Sequence, residues 1–224
     1  LLVLLLFVIS ISSSYAEIKR IISGNENAKI TIIVYESLTC SHCADFHAEV
    51  YPLLKKRIFS GNIDAKVIII VYESLTCSHC ATFHRDIYPK LKKDYIDKGI
   101  AKIEFRHFPL DAIAFNAAKI SQCEKGKGLE ILESLYSKQN EWIKGNTVEA
   151  ANDFLKNFLG SQGYKIDFEK CINDKKIEDF VLNDRIEGSK IFKVNATPTI
   201  IINNKKFEKT LNYKNLKKTL EKLI

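Results

Sequence analysis

Two Cys-x-x-Cys pairs, Cys40-Ser41-His42-Cys43 and Cys77-Ser78-His79-Cys80, are the residues of this chain best suited to chemistry. Thiols at this spacing can bond to each other, exchange that bond with a second protein, or supply half of a zinc site. Their position in the chain decides among these. Lys66-Val67-Ile68-Ile69-Ile70-Val71-Tyr72, a run suited to a strand covered on both faces, leads into the second pair. After it, Phe83, Ile87 and Leu91 recur at helical spacing. At such a strand-to-helix junction, unpaired backbone N–H groups and the helix dipole favour negative charge. Cys77 is therefore expected as an exposed nucleophilic thiol, held as thiolate. His79 can add a hydrogen bond or positive charge toward that sulfur. Cys80, one turn on, is placed to attack a mixed disulfide and release the partner. A stabilised thiolate makes the reduced form favourable and the disulfide oxidising.

The two pairs exist because the chain repeats itself. Lys19–Lys56 aligns with Lys56–Lys93 without a gap, the strongest match running from Ala28 to Cys43 against Ala65 to Cys80. Solenoids need at least three copies; two copies followed by unrelated sequence indicate tandem copying of one strand–CxxC–helix unit. The second copy is joined directly to the next strand, Ala101 to Phe108. Using the first would push a whole repeat into that connection. Cys77 and Cys80 thus take the working slot. The first copy is left with an Ile-rich strand, 29–35, which must pair at a sheet edge, and with Cys40, His42 and Cys43 as a duplicated redox motif. Two pairs and nearby histidines could supply four zinc ligands, but a strand and a helix separate them and duplication explains the second pair without metal. No metal or cofactor is expected. Two purely structural disulfides are the blander alternative.

Tyr88-Pro89 predicts a kink in the helix after Cys80. Downstream, 112–125, 129–142, 148–159 and 175–190 read as helices. Val194-Asn195-Ala196-Thr197-Pro198-Thr199 then leads into the apolar strand Ile200-Ile201-Ile202. A turn at Asn203-Asn204-Lys205, a short strand and a helix over 213–224 follow. Leu216, Leu220 and Leu223 set that helix's apolar side, and the lysines between 205 and 222 its wet face. The net charge of +7 is spread along the chain without paired stacking aromatics, which argues against nucleic acid. At the front, the apolar run Leu1 to Ile11 ends in Ser14-Tyr15-Ala16, which reads as a partial secretory signal, too short for a membrane span. Six cysteines in an exported chain are expected to be oxidised, metal-bound or redox-active.

Three motifs in order, Ser74-Leu75-Thr76-Cys77-Ser78-His79-Cys80-Ala81-x-Phe83-His84, Phe105-Arg106-x-Phe108-Pro109-Leu110-Asp111 and Val194-x-Ala196-Thr197-Pro198-Thr199, resemble the DsbA-like family, especially its alphaproteobacterial members. The resemblance runs from about Gly61 to the end. It implies an α/β thioredoxin fold with an inserted helical domain, 61–110 with 191–224 forming the thioredoxin domain and 111–190 the insertion; the signal at 1–16 and the duplicated unit at 17–60 are read from the residues themselves, and the family offers no role for the extra repeat. It also implies Cys77 as nucleophile, Cys80 as resolving thiol, and Thr197-Pro198 as a cis-proline segment facing them and offering backbone to an extended substrate. Many relatives place an acid six residues before the nucleophile, where it can relay protons; here that position is Val71. Glu73, the nearest acid, reads as a solvated strand-end glutamate.

Cys123 and Cys171 would be ordinary core residues as free thiols; an oxidising compartment and the resemblance favour a structural disulfide between them. Trp142 is expected in the core or on the insertion's surface, and His84 and His107 as packed or hydrogen-bonded. The whole describes a monomeric periplasmic dithiol oxidase that gives disulfides to reduced, unfolded secreted proteins and is recharged by a quinone-linked membrane partner. An isomerase or reductase on the same fold, and a non-catalytic exported peptide-binding module, are the alternatives.

Overall fold

The computed structural model describes residues 41–45, 57–124 and 126–224. The expected signal, the first-copy strand at 29–35 and Cys40 lie outside the described residues. Of the first repeat, Ser41–Asp45 forms a short helix (α1) immediately after Cys40, the same local conformation that follows Cys77 in the second.

Among the described residues five strands form one sheet in the order β1-β3-β2-β4-β5: β1 Ile58–Gly61, β2 Val67–Glu73, β3 Ala101–His107, β4 Thr199–Ile202 and β5 Lys205–Lys206. Strands β2 and β3 are parallel; every other pairing is antiparallel. A parallel pair needs a crossover, and the helix beginning at Ser78–Thr82 (α2) supplies it. That helix passes through a π-helical turn at Phe83–Ile87, an α-helical turn at Tyr88–Leu91 (α3) and a second π-helical turn at Lys92–Ile96. Pro89 is the physical reason for the irregularity, since it has no N–H to give to the preceding turn. The expected kink is thus resolved as a widened turn just ahead of the proline.

Strand β2 is buried on both faces, as its unbroken β-branched run requires. Val67, Ile69 and Val71 face the larger core with Phe83, Ile87 and Leu91 from the crossover helix. Ile70 and Tyr72 face a smaller one with Phe108, Val194 and Ile201. Burying each large apolar side chain contributes roughly 1.5–3 kcal/mol. On the Tyr72 side the backbone comes very close: a Cβ on Gly188 would stand 2.7 Å from the Tyr72 ring, so only glycine fits there.

Between β3 and β4 the chain is helical: α4 Ala112–Ser121, α5 Gly128–Ser137, α6 Gln139–Trp142, α7 Val148–Ser161, α8 Phe168–Asn173 and α9 Lys175–Phe192. The C-terminal helix α10 is Tyr213–Leu220. Asp111, Thr147, Asp167 and Asp174 cap four of these helices through their side chains. Trp142 is fully buried, its Nε1–H donating to the Leu135 carbonyl at 2.8 Å. Insertion residues such as Leu135, Leu155 and Phe158 belong to the same core as Ile69 and Phe83, so insertion and sheet share one interior. Several details depart from the sequence reading: the single helix expected over 129–142 is broken at Lys138 into α5 and α6, and the one expected over 112–125 ends at Ser121. Strand β1 begins at Ile58, ahead of the position where the thioredoxin segment was expected to start, and helix α8 was not foreseen. Leu223 is exposed because α10 ends before it.

Candidate functional site

Strand β2 ends at Glu73, and three residues later the chain turns into α2. Cys77 occupies the N-cap position with extended backbone, φ −80° and ψ 119°. Its N–H donates to the Ser74 carbonyl at 3.0 Å, and its own carbonyl accepts from the N–H groups of Cys80 and Ala81. The loop before it is pinned from the insertion. Thr76 Oγ1 donates to Asp111 Oδ2 at 2.6 Å, and the N–H of Leu110 donates to Ser74 Oγ at 3.3 Å. Gln139 Nε2 donates to the carbonyls of Leu75 and Cys77, at 2.6 and 3.2 Å.

Opposite this loop, the segment before β4 brings Thr197 to the sulfur: Cys77 Sγ lies 3.3 Å from the Thr197 carbonyl oxygen. The Thr197-Pro198 bond is cis. Thr199 Oγ1 donates back to the Ala196 carbonyl at 2.7 Å, closing the turn that holds the segment in place. Two motifs 120 residues apart are therefore brought together at one sulfur.

The two cysteines of the pair differ sharply. Cys77 is half-buried, and its ionisation is brought down to about 5. The leading cause is a hydrogen bond from the Cys80 thiol, assisted by the Thr197 side chain and the N–H groups of Cys80 and His79, against some cost of burial. Cys80 is fully buried and pushed far the other way by desolvation, by the bond to Cys77 and by the nearby Glu73 charge. One thiol is made for the anionic state and its neighbour for the neutral one. His79 is exposed; the group it presents to the Cys77 sulfur is its backbone N–H rather than its ring.

Glu73 overturns the expectation of a solvated glutamate. It is 1 % exposed, and its Oε2 shares a 2.8 Å hydrogen bond with Nε2 of His84. The cause is strand alternation: Glu73 lies two residues beyond Val71, so it faces the same core. Burial raises its ionisation, with His84 and the Tyr136 hydroxyl opposing. The His84 ring stacks on Tyr136 at 4.1 Å between centroids. The Tyr136 hydroxyl lies beside both Glu73 and Cys80. Glu73, Gln139 and Tyr136 were not singled out for the site from sequence. Alternation along β2 could have found Glu73; nothing in the sequence signals Gln139 or Tyr136, which arrive through folding of the insertion.

Of the remaining sequence candidates, Cys123 and Cys171 are joined by a disulfide with 5.7 Å between their Cα atoms. It ties the end of α4 to α8. His107 is buried and accepts at Nε2 from the Gln122 amide at 2.9 Å. His42 and Cys43 lie in α1. Among the described residues no group of His, Cys, Asp and Glu is arranged to hold a metal ion.

A sequence profile of the family described as thioredoxin matches residues 16–63 and, separately, residues 55–222. The front segment thus matches in its own right, as a copied unit would. No curated protein matches the chain. Among solved structures, alpha-DsbA1 from Wolbachia pipientis is 31 % identical, with a TM-score of 0.66 over 75 % of this chain and 90 % of that one. BdbD from Bacillus subtilis, in its oxidised form, is 26 % identical with a TM-score of 0.63, covering 76 % and 94 %. DsbA from Chlamydia trachomatis, 20 % identical at a TM-score of 0.58 over 74 % and 88 %, shares the fold. Likeness this broad takes in both the sheet and the insertion, and with it the chain belongs to the DsbA-like thioredoxin-fold family and is a thiol:disulfide oxidoreductase.

Proposed function

We propose that this protein is an exported dithiol oxidase that introduces disulfides into reduced secreted proteins, with Cys77 as nucleophile and Cys80 as resolving thiol. The observation carrying this reading is the asymmetry of the pair: Cys77 favours the anion and Cys80 the neutral thiol. A substrate thiolate attacks Cys77 Sγ of the Cys77–Cys80 disulfide; the S–S bond breaks, Cys80 leaves with the electron pair and takes up a proton. A second substrate thiolate then attacks the substrate sulfur of the mixed disulfide. Cys77 leaves as a thiolate, which its surroundings stabilise, so the substrate is oxidised and the enzyme reduced. A good leaving group speeds that step, and a stabilised reduced form makes the disulfide oxidising.

The Thr197 carbonyl beside the sulfur and the adjoining backbone are suited to pair with an extended substrate segment. Recharging needs a disulfide donor, for which a quinone-linked membrane partner is the candidate. No described helix is long and apolar enough to cross a membrane; the apolar run at the front supports export to the periplasm. The Cys123–Cys171 disulfide fits an oxidising compartment. Cys40 and Cys43, whose repeat carries no proline segment of its own, are assigned no substrate role, only exchange with Cys77. The protein is taken to act as a monomer.

The test is oxidation of a reduced, unfolded protein by the full chain and by Cys77→Ser, together with the reduction potential of the Cys77–Cys80 pair. Activity that disappears in Cys77→Ser, with a potential well above thioredoxin's value of about −270 mV, is expected. A potential near thioredoxin's removes the oxidase reading in favour of a reductase. Unchanged activity in Cys77→Ser removes the site.

A further inference from the structure

Each half of the cycle proposed above requires Cys80 to change its protonation. It gains a proton when it leaves the disulfide and loses one when it attacks Cys77 Sγ to re-form it. Yet Cys80 is fully buried, so no water reaches its sulfur directly. The charge felt at Cys80 from outside the motif is that of Glu73, which is itself sealed from solvent. Glu73 Oε2 in turn shares a hydrogen bond with Nε2 of His84 at 2.8 Å, and the Tyr136 hydroxyl lies beside the same carboxyl.

The other nitrogen of His84, Nδ1, is buried with no hydrogen-bond partner among the described residues. The His84 ring forms part of the wall of a cavity of about 420 Å³ between the crossover helix and α5, together with Tyr88 and Tyr136. Arg85, Glu133 and Ser137, also in its lining, are exposed, so the cavity opens to solvent. An imidazole with one nitrogen on a buried carboxyl and the other unclaimed, at the edge of a solvent-reaching cavity, has the arrangement of a proton shuttle. We propose that His84 is the proton port of the buried half of the site, passing protons between the Glu73 carboxyl and water in this cavity.

The step balances without any further reactant. When Cys80 leaves, its thiolate accepts a proton from the Glu73–His84 pair, and His84 recovers one from the cavity. When Cys80 attacks Cys77 Sγ, the proton runs outward by the same route. The titratable and charged groups around the pair are Cys77 and Cys80 at the start of α2, Tyr88 on α3, Tyr136 on α5, and Arg85, Lys92 and Glu133 around the cavity. A purely structural role for His84, as a ring stacked on Tyr136 and packed at a tilt against Phe105, is the alternative.

This inference rests on the Cys77–Cys80 cycle, and its test separates the two. The full-length oxidised protein is mixed with a reduced dithiol peptide under single-turnover conditions near pH 7, and loss of the Cys77–Cys80 disulfide is followed by acid quench and thiol alkylation. His84→Ala is expected to slow the step at least tenfold, and added imidazole, which fits the cavity and the space vacated, to restore most of the rate. A His84→Ala rate within twofold of the unaltered protein overturns the proposal, as does a slow rate that imidazole leaves unchanged. If His84→Ala does not fold, His84→Gln serves: it keeps a hydrogen-bonding group on Glu73 but cannot take up and release a proton near neutral pH. Slowing of at least tenfold with Cys77 ionisation unmoved supports the port, and a rate within twofold overturns it. Failure of the unaltered protein to oxidise the peptide counts against the oxidase reading instead.

Discussion

Gln139, in the helical insertion, is hydrogen-bonded through its side-chain amide to the main-chain carbonyl of Cys77 at 3.2 Å. The same nitrogen reaches the Leu75 carbonyl at 2.6 Å. These two bonds hold the turn that aims Cys77 at Thr197. Removing them in Gln139→Leu leaves two carbonyls without that donor, at about 1 kcal/mol each. The expected result is a loss of about 1–2 kcal/mol in denaturant unfolding. Cys77 ionisation should also rise, read from thiolate absorbance, because the N–H groups stabilising the sulfur are no longer held in line. A variant with unaltered thiolate titration would mean that the insertion plays no part in shaping the nucleophile.

Stability of the two redox forms should diverge with pH. In the reduced protein Cys77 ionises near 5, below the ordinary thiol value near 8.5–9. Between these values the unfolded chain holds a proton that the folded one has released, so reduced-state stability rises with pH across this window. It is fully present above about 9 and lost as pH falls through 5. The oxidised form has no such titration at Cys77. Denaturant midpoints of both forms at pH 4 and pH 8 should show the reduced form gaining on the oxidised one at the higher pH. Equal changes in both would leave the oxidising power without a source.

Much of this site could be read in advance, and the reasons it could not be read completely are specific. Cys77 and Cys80 are legible because the β-branched run and the helical spacing of Phe83, Ile87 and Leu91 fix a junction locally. The Thr197 segment was legible only through resemblance, since no local rule brings residue 197 to residue 77. Glu73 was misjudged by treating the end of a strand as wet: the last residue of β2 is covered by the insertion, whose α5 carries Tyr136 beside it. Gln139 acts through tertiary placement alone. Helix α8 was hidden by its shortness, six residues opened by an Asp167 cap. Strand β1 is an edge strand whose pairing with β3 leaves no distinctive alternation in Ile58–Gly61.

The Cys123–Cys171 bond closes a loop with a sequence separation of 48. In a chain-entropy account, closing such a loop contributes about 4 kcal/mol by restricting the unfolded state. The double variant Cys123→Ala/Cys171→Ala should therefore unfold at lower denaturant by up to that amount, while disulfide transfer through Cys77 persists in the folded fraction. Unchanged stability would place the compensation in the packing of α4 against α8.

His107 makes the protein sensitive to acid from a point well away from the sulfur pair. Its side chain is buried at the end of β3, where desolvation first and the Arg57 charge second bring its ionisation down to about 3. Nε2 accepts from the Gln122 amide, so the neutral ring is the one that fits. The unfolded chain, with a histidine titrating near 6.5, binds a proton between about 6.5 and 3 that the folded chain refuses. Stability must then fall as pH drops from 6.5 toward 3, by on the order of 3 kcal/mol at pH 4. His107→Gln keeps a hydrogen-bonding side chain and removes the titration. Relative to its own stability at pH 7, the variant should lose less on acidification than the unaltered protein, measured by urea unfolding at pH 7 and pH 4. Equal losses would assign the acid sensitivity to the carboxylates of the Arg57, Arg106, Asp184 and Glu187 network that surrounds β3.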